Sequence, residues 1–118
     1  MAWNLNSDRP IYAQILEVIQ IRIIAGIYKP GEKIPSVREL AAEAGVNPNT
    51  MQKALTELER SGLVMSVRTS GRVVTEDMEM IRQTREHLAR EQVQEFIDKM
   101  EKLGFSRAEV RGLLEAGF

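Results

Sequence analysis

A short helical stretch of the chain carries side chains that could hydrogen-bond to nucleic-acid bases and phosphates. Asn47 can cap the helix and Pro48 suits its first position. The proline also leaves the helix N-terminus open, where backbone amides suit a phosphate. The outer face of the helix comprises Asn49, Thr50, Gln52, Lys53 and Thr56. A merely solvated face would usually carry Glu and Lys, whereas amides and hydroxyls pair with base edges, so this face indicates nucleic-acid recognition.

A second helix comes directly before this one. Ser36 and Glu39 have the spacing of a capping box, in which each side chain bonds the other residue's backbone N–H. Gly45 supplies a tight turn between the two helices. Arg38 lies in the first turn, and two readings of it remain open. It could pair with Glu39 or Glu43 as a surface ion pair, or it could contact a base or phosphate.

A β-hairpin is predicted after the helix that begins at Pro48. Residues 63–67 and 72–75 are rich in β-branched side chains and are joined by a turn containing glycine. Arg68 and Arg72 flank its tip, either as solubilising charges on the edge or as contacts to a DNA groove or phosphate. Two helices joined at a glycine and followed by a hairpin indicate a winged helix-turn-helix.

The helix predicted before this unit must help to position it. We expect Asp8 to cap this helix and Pro10 to lie in its first turn. Its apolar residues extend nearly all round, which indicates that more than one side is covered. Either the N-terminal segment with Trp3 or the C-terminal arm is expected to cover the second side.

Residues 76–118 are predicted to form a long helix and a short one, the latter opened by a second capping box at Ser106. The pair could fold back onto the winged domain. We favour an antiparallel helix-hairpin interface between two copies, with two-fold symmetry, because a small domain cannot easily bury both apolar faces. The residues predicted at this interface are Ile81, Leu88, Val93, Phe96, Ile97, Met100, Leu103, Val110, Leu113 and Leu114.

Composition and charge limit which other classes of protein this chain could belong to. The 118 residues include no cysteine and have a net charge of −1. Residues 1–75 carry a net charge of +2 and residues 76–118 one of −3, so the basic half contains the helix-turn-helix. The apolar stretch 15–27 is interrupted by charged and polar residues, and no signal peptide is expected at the N-terminus. We find no catalytic constellation, metal-ligand spacing or phosphate loop, so no enzyme activity, cofactor or metal is predicted.

Three stretches carry a resemblance to a known family: residues 10–15 (PIYAQI), 26–41 (GIYKPGEKIPSVRELA) and 45–50 (GVNPNT). Together they closely resemble the DNA-binding domain of GntR-type bacterial transcription regulators. The resemblance implies dimeric binding to operator DNA. It also implies DNA contacts from Ser36, Arg38, Asn47, Pro48, Asn49, Thr50, Gln52, Lys53, Ser70 and Gly71. Many members have Arg at the position of Gln52, and adenine reading by Gln is the chemical alternative to a guanine contact.

The C-terminal 43 residues resemble the short two-helix tail of the YtrA-like branch of that family. The expected fold is therefore mainly α with a small β-hairpin: a winged helix-turn-helix domain over residues 1–75 and a helical dimerisation arm over residues 76–118. The expected function is that of a bacterial cytoplasmic, homodimeric repressor reading a palindromic operator with helix 48–60 and a wing at 68–72. A small-molecule effector is conceivable but nothing in the chain specifies it, and no membrane partner is expected. The alternative is a winged-helix dimer that acts only as a protein-interaction module.

Overall fold

The computed structural model describes residues 3–68 and 71–118, which form five helices and one two-stranded antiparallel sheet. The order is α1 (Ile11–Ile24), α2 (Val37–Ala44), α3 (Pro48–Ser61), β1 (Val64–Val67), β2 (Gly71–Val74), α4 (Met78–Lys102) and α5 (Arg107–Gly117). This is the predicted fold class, mainly α with a small hairpin.

The chain divides into two compact units, Met1–Thr84 and Arg85–Phe118. The division falls within α4, later than the boundary after Thr75 expected from the sequence. The reason is that Met80 and Ile81 still pack against the core of the first unit. Ile81 was predicted at a dimer interface, but only 7% of its surface is exposed, so it has little left to bury against a second subunit.

The start of α1 differs from the prediction. Pro10, not Asp8, is the N-cap residue, and no side chain caps the helix. Gln14, which is buried, instead organises the preceding segment. Its amide accepts from the Asn6 N–H at 3.0 Å and donates to the carbonyls of Asn6 and Arg9 at 2.8 and 2.9 Å. These three bonds satisfy a buried polar side chain and hold residues 6–9 against α1.

The helix-turn-helix forms as its caps predict. Ser36 accepts from the Glu39 N–H at 3.1 Å and the Glu39 carboxylate accepts from the Ser36 N–H at 3.0 Å, a complete capping box. Gly45 ends α2 at φ 74°, a left-handed conformation that suits a residue without Cβ. The side chain of Asn47 caps α3 by accepting from the Asn49 N–H.

The hairpin is extended by a third segment of chain. Strands β1 and β2 pair with Val64 opposite Val74 and Val67 opposite Gly71. Residues 31–34 run along the other edge of β2, where the N–H of Val74 donates to the carbonyl of Glu32 at 2.8 Å. Both edges of β2 are therefore hydrogen-bonded, which fixes the wing at its base.

One hydrophobic core joins the elements of the first unit. It contains Ile15, Ile19, Ile23, Ile34, Leu40, Ala41, Ala44, Met51, Ala54, Leu55, Leu58, Leu63, Val64, Val74 and Ile81. Of the two segments expected to cover α1, the N-terminal one does pack here, because Trp3 and Leu5 lie against this core.

The second unit has a much smaller core. Val110 of α5 is 4% exposed, whereas large apolar side chains around it remain in solvent, among them Val93, Phe96, Leu103, Leu113 and Leu114. A groove of about 430 Å³ lies between this part of α4 and α5. In the described part of the chain, no helix combines the length and the apolar composition needed to cross a bilayer.

We predict that Ile19→Ala lowers the free energy of unfolding by roughly 2–5 kcal/mol, because it removes a fully buried side chain and leaves a cavity. Ile21→Ala is the matched control on the same helix, since Ile21 is 50% exposed, and its effect should stay within about 0.5 kcal/mol. Urea unfolding at a fixed protein concentration measures both. Equal losses in the two variants would contradict the core described above.

Candidate nucleic-acid interface

The outer face of α3 is defined by what its inner face buries. Met51, Ala54, Leu55 and Leu58 have no exposed surface. Because a helix turns by 3.6 residues, this burial directs the intervening positions outward. Asn49, Gln52, Lys53 and Thr56 are exposed, and Thr50 is partly so. The structure thus places the predicted reading side chains on one accessible face.

The backbone amides at the start of α3 are not free, contrary to expectation. The Asn49 N–H donates to Asn47 Oδ1 at 2.7 Å, and the N–H groups of Thr50 and Met51 donate to the Asn47 carbonyl at 3.0 and 3.1 Å. Pro48 has no N–H to offer. The Asn47 cap therefore consumes the donors that a phosphate would need, and any contact here must come from side chains.

Two exposed side chains on α3 have neighbours that hold them in place. The Gln52 amide donates from Nε2 to Thr56 Oγ1 at 3.2 Å. Lys53 Nζ lies 3.9 Å from the centroid of the Tyr12 ring, a cation–π contact between α3 and α1. Lys53 keeps its charge at the surface, where it remains available to a phosphate.

Arg38 lies exposed on α2, and each of its predicted partners bonds to another residue. The Glu39 carboxylate is bonded to Ser36, and those bonds lower the pKa of Glu39. Glu43 is paired with Arg22 instead. The surface ion pair considered for Arg38 therefore does not form with either glutamate, and its guanidinium points to no carboxylate in the described part of the chain.

The wing is attached to α3 through Glu59. This carboxylate accepts from Ser66 Oγ at 2.7 Å and from Arg72 Nε at 3.0 Å, and the two bonds, Ser66 first, lower the pKa of Glu59. Arg72 is only 18% exposed along its side chain, so its first role is to anchor the hairpin. Arg68 is exposed at the end of β1 and Gly71 opens β2, whereas Ser70 lies outside the described residues.

Comparison with known proteins identifies the family of this chain. The pattern of the gntR family of bacterial regulatory proteins matches residues 11–74, which span α1, α2, α3 and the hairpin.

This chain is a GntR-family protein.

Similar proteins include two regulators from Bacillus subtilis. The uncharacterised helix-turn-helix regulator YhcF is 38% identical over 107 residues, covering 91% of this chain and 88% of YhcF. The transcriptional repressor YtrA is 46% identical over 71 residues, covering 60% of this chain and 55% of YtrA. The resemblance to the YtrA-like branch predicted from the sequence is thereby confirmed.

Two solved structures extend the comparison. A GntR family transcriptional regulator from Listeria monocytogenes superposes with a TM-score of 0.83 at 37% identity, covering 95% of this chain and 98% of that one. The DNA-binding domain of AraR in complex with operator ORX1 superposes with a TM-score of 0.55 at 35% identity, covering 64% of this chain and 93% of that domain. The first likeness confirms the predicted winged fold along almost the whole chain.

The GntR-family protein also contains a polar cluster that sequence reasoning missed. Glu43, in the last turn of α2, accepts from both Arg22 of α1 and the Trp3 indole N–H, the latter at 2.6 Å. The Arg22 guanidinium lies 4.8 Å from the Trp3 ring centroid and donates to the Tyr28 hydroxyl at 2.7 Å. The backbone N–H of Trp3 donates to the Ala44 carbonyl at 3.2 Å, where α2 ends. We name these residues the Arg22–Glu43 clasp.

The clasp joins the N-terminal segment to the end of α2, directly before the turn into α3. Its hydrogen bond from Arg22 is the largest cause that lowers the pKa of Glu43 and also raises the pKa of Arg22. No local sequence pattern announces such a cluster, since Trp3 and Glu43 lie 40 positions apart. His87, by contrast, pairs only locally, with Glu91 on α4.

We predict that Glu43→Gln weakens the acid dependence of stability. Because the folded pKa lies below the ordinary value of 4.5, Glu43 stabilises the fold above that pH. This contribution is lost as the pH falls through the depressed pKa. Denaturant unfolding from neutral pH to about pH 3 should therefore show a smaller fall in free energy for the variant than for the wild type.

The control is the same substitution in an Arg22→Gln background. There the bond that lowers the pKa of Glu43 most is already gone and the Trp3 bond remains, so Glu43→Gln should change the pH dependence less than it does in the wild type. An equal change in both backgrounds would contradict the role assigned to Arg22.

Proposed function

We propose that this protein is a sequence-specific DNA-binding transcription repressor that acts as a homodimer on a palindromic operator. The observation that carries the proposal is the outer face of α3, where amide and hydroxyl side chains stand exposed over a fully buried apolar stripe. Family membership supports the same function, since YtrA is named a transcriptional repressor and the AraR domain was solved with an operator.

The proposed contacts divide by chemistry. Side chains on α3 and at the start of α2 face the major groove, where amides and guanidinium groups read base edges. The wing lies on adjacent backbone or in the minor groove. The residues assigned to DNA are Ser36, Arg38, Asn47, Pro48, Asn49, Thr50, Gln52, Lys53, Arg68, Ser70, Gly71 and Arg72.

We assign different roles within this set from the contacts that each side chain already makes. Ser36 and Asn47 spend their side chains on helix caps, so they shape the surface rather than read bases. Arg72 anchors the wing through Glu59 and reaches DNA only with the nitrogens that this bond leaves free. Arg38 and Lys53 are exposed cations, the latter in contact with the Tyr12 ring, and their charge favours phosphates and makes affinity fall with rising salt.

The second copy is proposed to bind through the apolar surface of the second unit. The composition of this surface favours an interface over a solvated face, because several large apolar side chains on it are 40% exposed or more. Its members are Leu88, Val93, Phe96, Ile97, Met100, Leu103, Val110, Leu113 and Leu114. Val110 is 4% exposed, so it packs within the second unit and adds almost no area to the interface, and Ile81 is left out because it belongs to the core of the first unit.

We assign DNA reading to the first unit and dimerisation to the second, in the bacterial cytoplasm where operator DNA lies. The relatives named above are regulators, so we propose no catalytic step, cofactor or metal for the chain. Among the described residues, no group of three or more acidic, His or Cys side chains has a geometry that could hold a metal ion.

We predict that Arg38→Ala weakens operator binding by roughly 1–3 kcal/mol, because the guanidinium contacts a base or a firmly held phosphate. The measurement is a titration against DNA from upstream of the protein's own gene, with unrelated competitor DNA present. Arg60→Ala is the matched control, since Arg60 lies at the far end of α3 and is already paired with Glu57 at 2.8 Å. If no competitor-resistant complex forms at low salt, the protein does not act as proposed.

We predict a dimeric mass by light scattering at micromolar concentration, and a monomeric mass for Phe96→Asp. The aspartate places a charge in the apolar surface that the second copy would bury, where desolvation disfavours it. Lys102→Asp is the control on the same helix, because its position lies outside the apolar stripe. A wild-type monomer, or a Phe96→Asp dimer, would refute the interface.

A further inference from the structure

Gln52 and Thr56 form a pair one helical turn apart on the exposed face of α3. Gln52 Nε2 donates to Thr56 Oγ1 at 3.2 Å, and neither side chain belongs to the core. An exposed glutamine ordinarily samples many rotamers, and ordering it costs entropy. The bond to Thr56 selects one orientation of the amide before any partner arrives.

The orientation that is selected has a defined hydrogen-bonding edge. A glutamine amide has two N–H groups and one carbonyl oxygen. We assign to Thr56 the N–H that points away from Oε1, which leaves Oε1 and the N–H beside it unspent. One donor beside one acceptor complements adenine in the major groove, which offers N7 as an acceptor and the N6 amino group as a donor.

The same edge does not fit guanine. Guanine presents two acceptors, N7 and O6, in the major groove. Oε1 would then face O6, and two acceptors would meet without a proton between them. The pair therefore discriminates by repulsion as well as by attraction.

We propose that Gln52 reads an adenine in each half of the operator and that Thr56 is a positioning residue that fixes the orientation of the Gln52 amide. This rests on the proposed function, because it assumes that α3 enters the major groove. It adds the base that is read and a second residue on which the reading depends.

Thr56 acts on preference rather than on affinity in general. Without its hydroxyl the Gln52 amide is free to rotate and can turn both N–H groups toward the acceptors of guanine. The loss of Thr56 therefore relaxes the choice of base at one position and leaves the other positions of the operator unchanged. A purely structural role in helix stability would weaken binding to all sequences equally.

The chain supplies a matched control for the hydrogen bond itself. Gln94 Nε2 donates to Asp98 Oδ1 at 2.9 Å, with the same spacing of four residues, on α4 in the second unit. Asp98→Ala removes an intrahelical glutamine bond of the same kind far along the chain from α3. It should leave base preference as in the wild type.

The experiment is selection of binding sites from a random double-stranded DNA library, followed by titration of the selected operator with A·T or G·C at each position. The variants are Gln52→Ala, Gln52→Arg, Thr56→Val, Thr56→Ser and Asp98→Ala. Circular dichroism checks that each remains helical.

We expect the wild type to require A·T at one position of each half-site. Gln52→Ala should lose a discrimination of roughly 5- to 150-fold at that position alone. Gln52→Arg should turn the preference toward G·C. Thr56→Val should lose a measurable part of the discrimination, and Thr56→Ser, which keeps the hydroxyl, should retain it.

Failures of the two proposals are separable. If the wild type enriches no sequence, the proposed function itself fails. If it enriches a motif whose preferences Gln52→Ala leaves intact at every position, adenine reading by Gln52 is overturned. If Thr56→Val discriminates as well as the wild type does, the positioning role of Thr56 is overturned.

Discussion

The rotation of α3 about its own axis is the constraint on which the rest of the structure depends. Met51, Leu55 and Leu58 are fully buried against α1, α2 and the base of the wing, so the helix cannot turn without exposing them. Fully burying one such side chain is worth about 1.5–3 kcal/mol, which makes a rotated α3 too costly to populate. The core therefore directs the polar side chains between them outward, and their own contacts, such as the bond from Gln52 to Thr56, orient only their ends. The packing of the core thus determines which side chains of α3 face outward.

Polar contacts then fix both ends of α3. At its start, the Arg22–Glu43 clasp and the turn at Gly45 hold the end of α2, from which the chain enters α3. Near its end, Glu59 receives Ser66 and Arg72 from the wing. Glu43 and Glu59 each join two or more elements, and the pKa of each carboxylate is lowered by its partners. The helix that carries the proposed base-reading groups is thus bonded to the hairpin, and the helix before it is bonded to the N-terminal segment.

Local chemistry made much of this fold predictable. The two capping boxes, the Asn47 cap and the buried stripe of α3 are short-range patterns, and each forms as expected. The errors came where a local signal competed with a longer-range one. Asp8 was predicted to cap α1, but the buried side-chain amide of Gln14 instead bonds to the backbone of Asn6 and Arg9. The clasp could not be predicted at all, since an Arg, a Glu and a Trp far apart in sequence carry no sign that they will meet. Ile81 shows the same limit, because a heptad pattern cannot tell a domain core from a subunit interface.

The number of side chains proposed to read bases supports the proposal that two copies of the winged unit act together. A good bidentate contact discriminates by about 1–3 kcal/mol, and specific binding exceeds non-specific binding by about 4–10 kcal/mol. Two such contacts from one unit, for example by Gln52 and Arg38, reach only the lower part of that range. Net charge does not make up the difference, since the whole chain carries −1 and phosphate attraction is blind to sequence in any case. Doubling the set by two-fold symmetry brings the total within range, provided that the two copies are held at a fixed spacing. If two copies pair through the apolar surface of the second unit, as proposed, that surface is part of the specificity, because it sets the spacing at which the two α3 helices meet the operator.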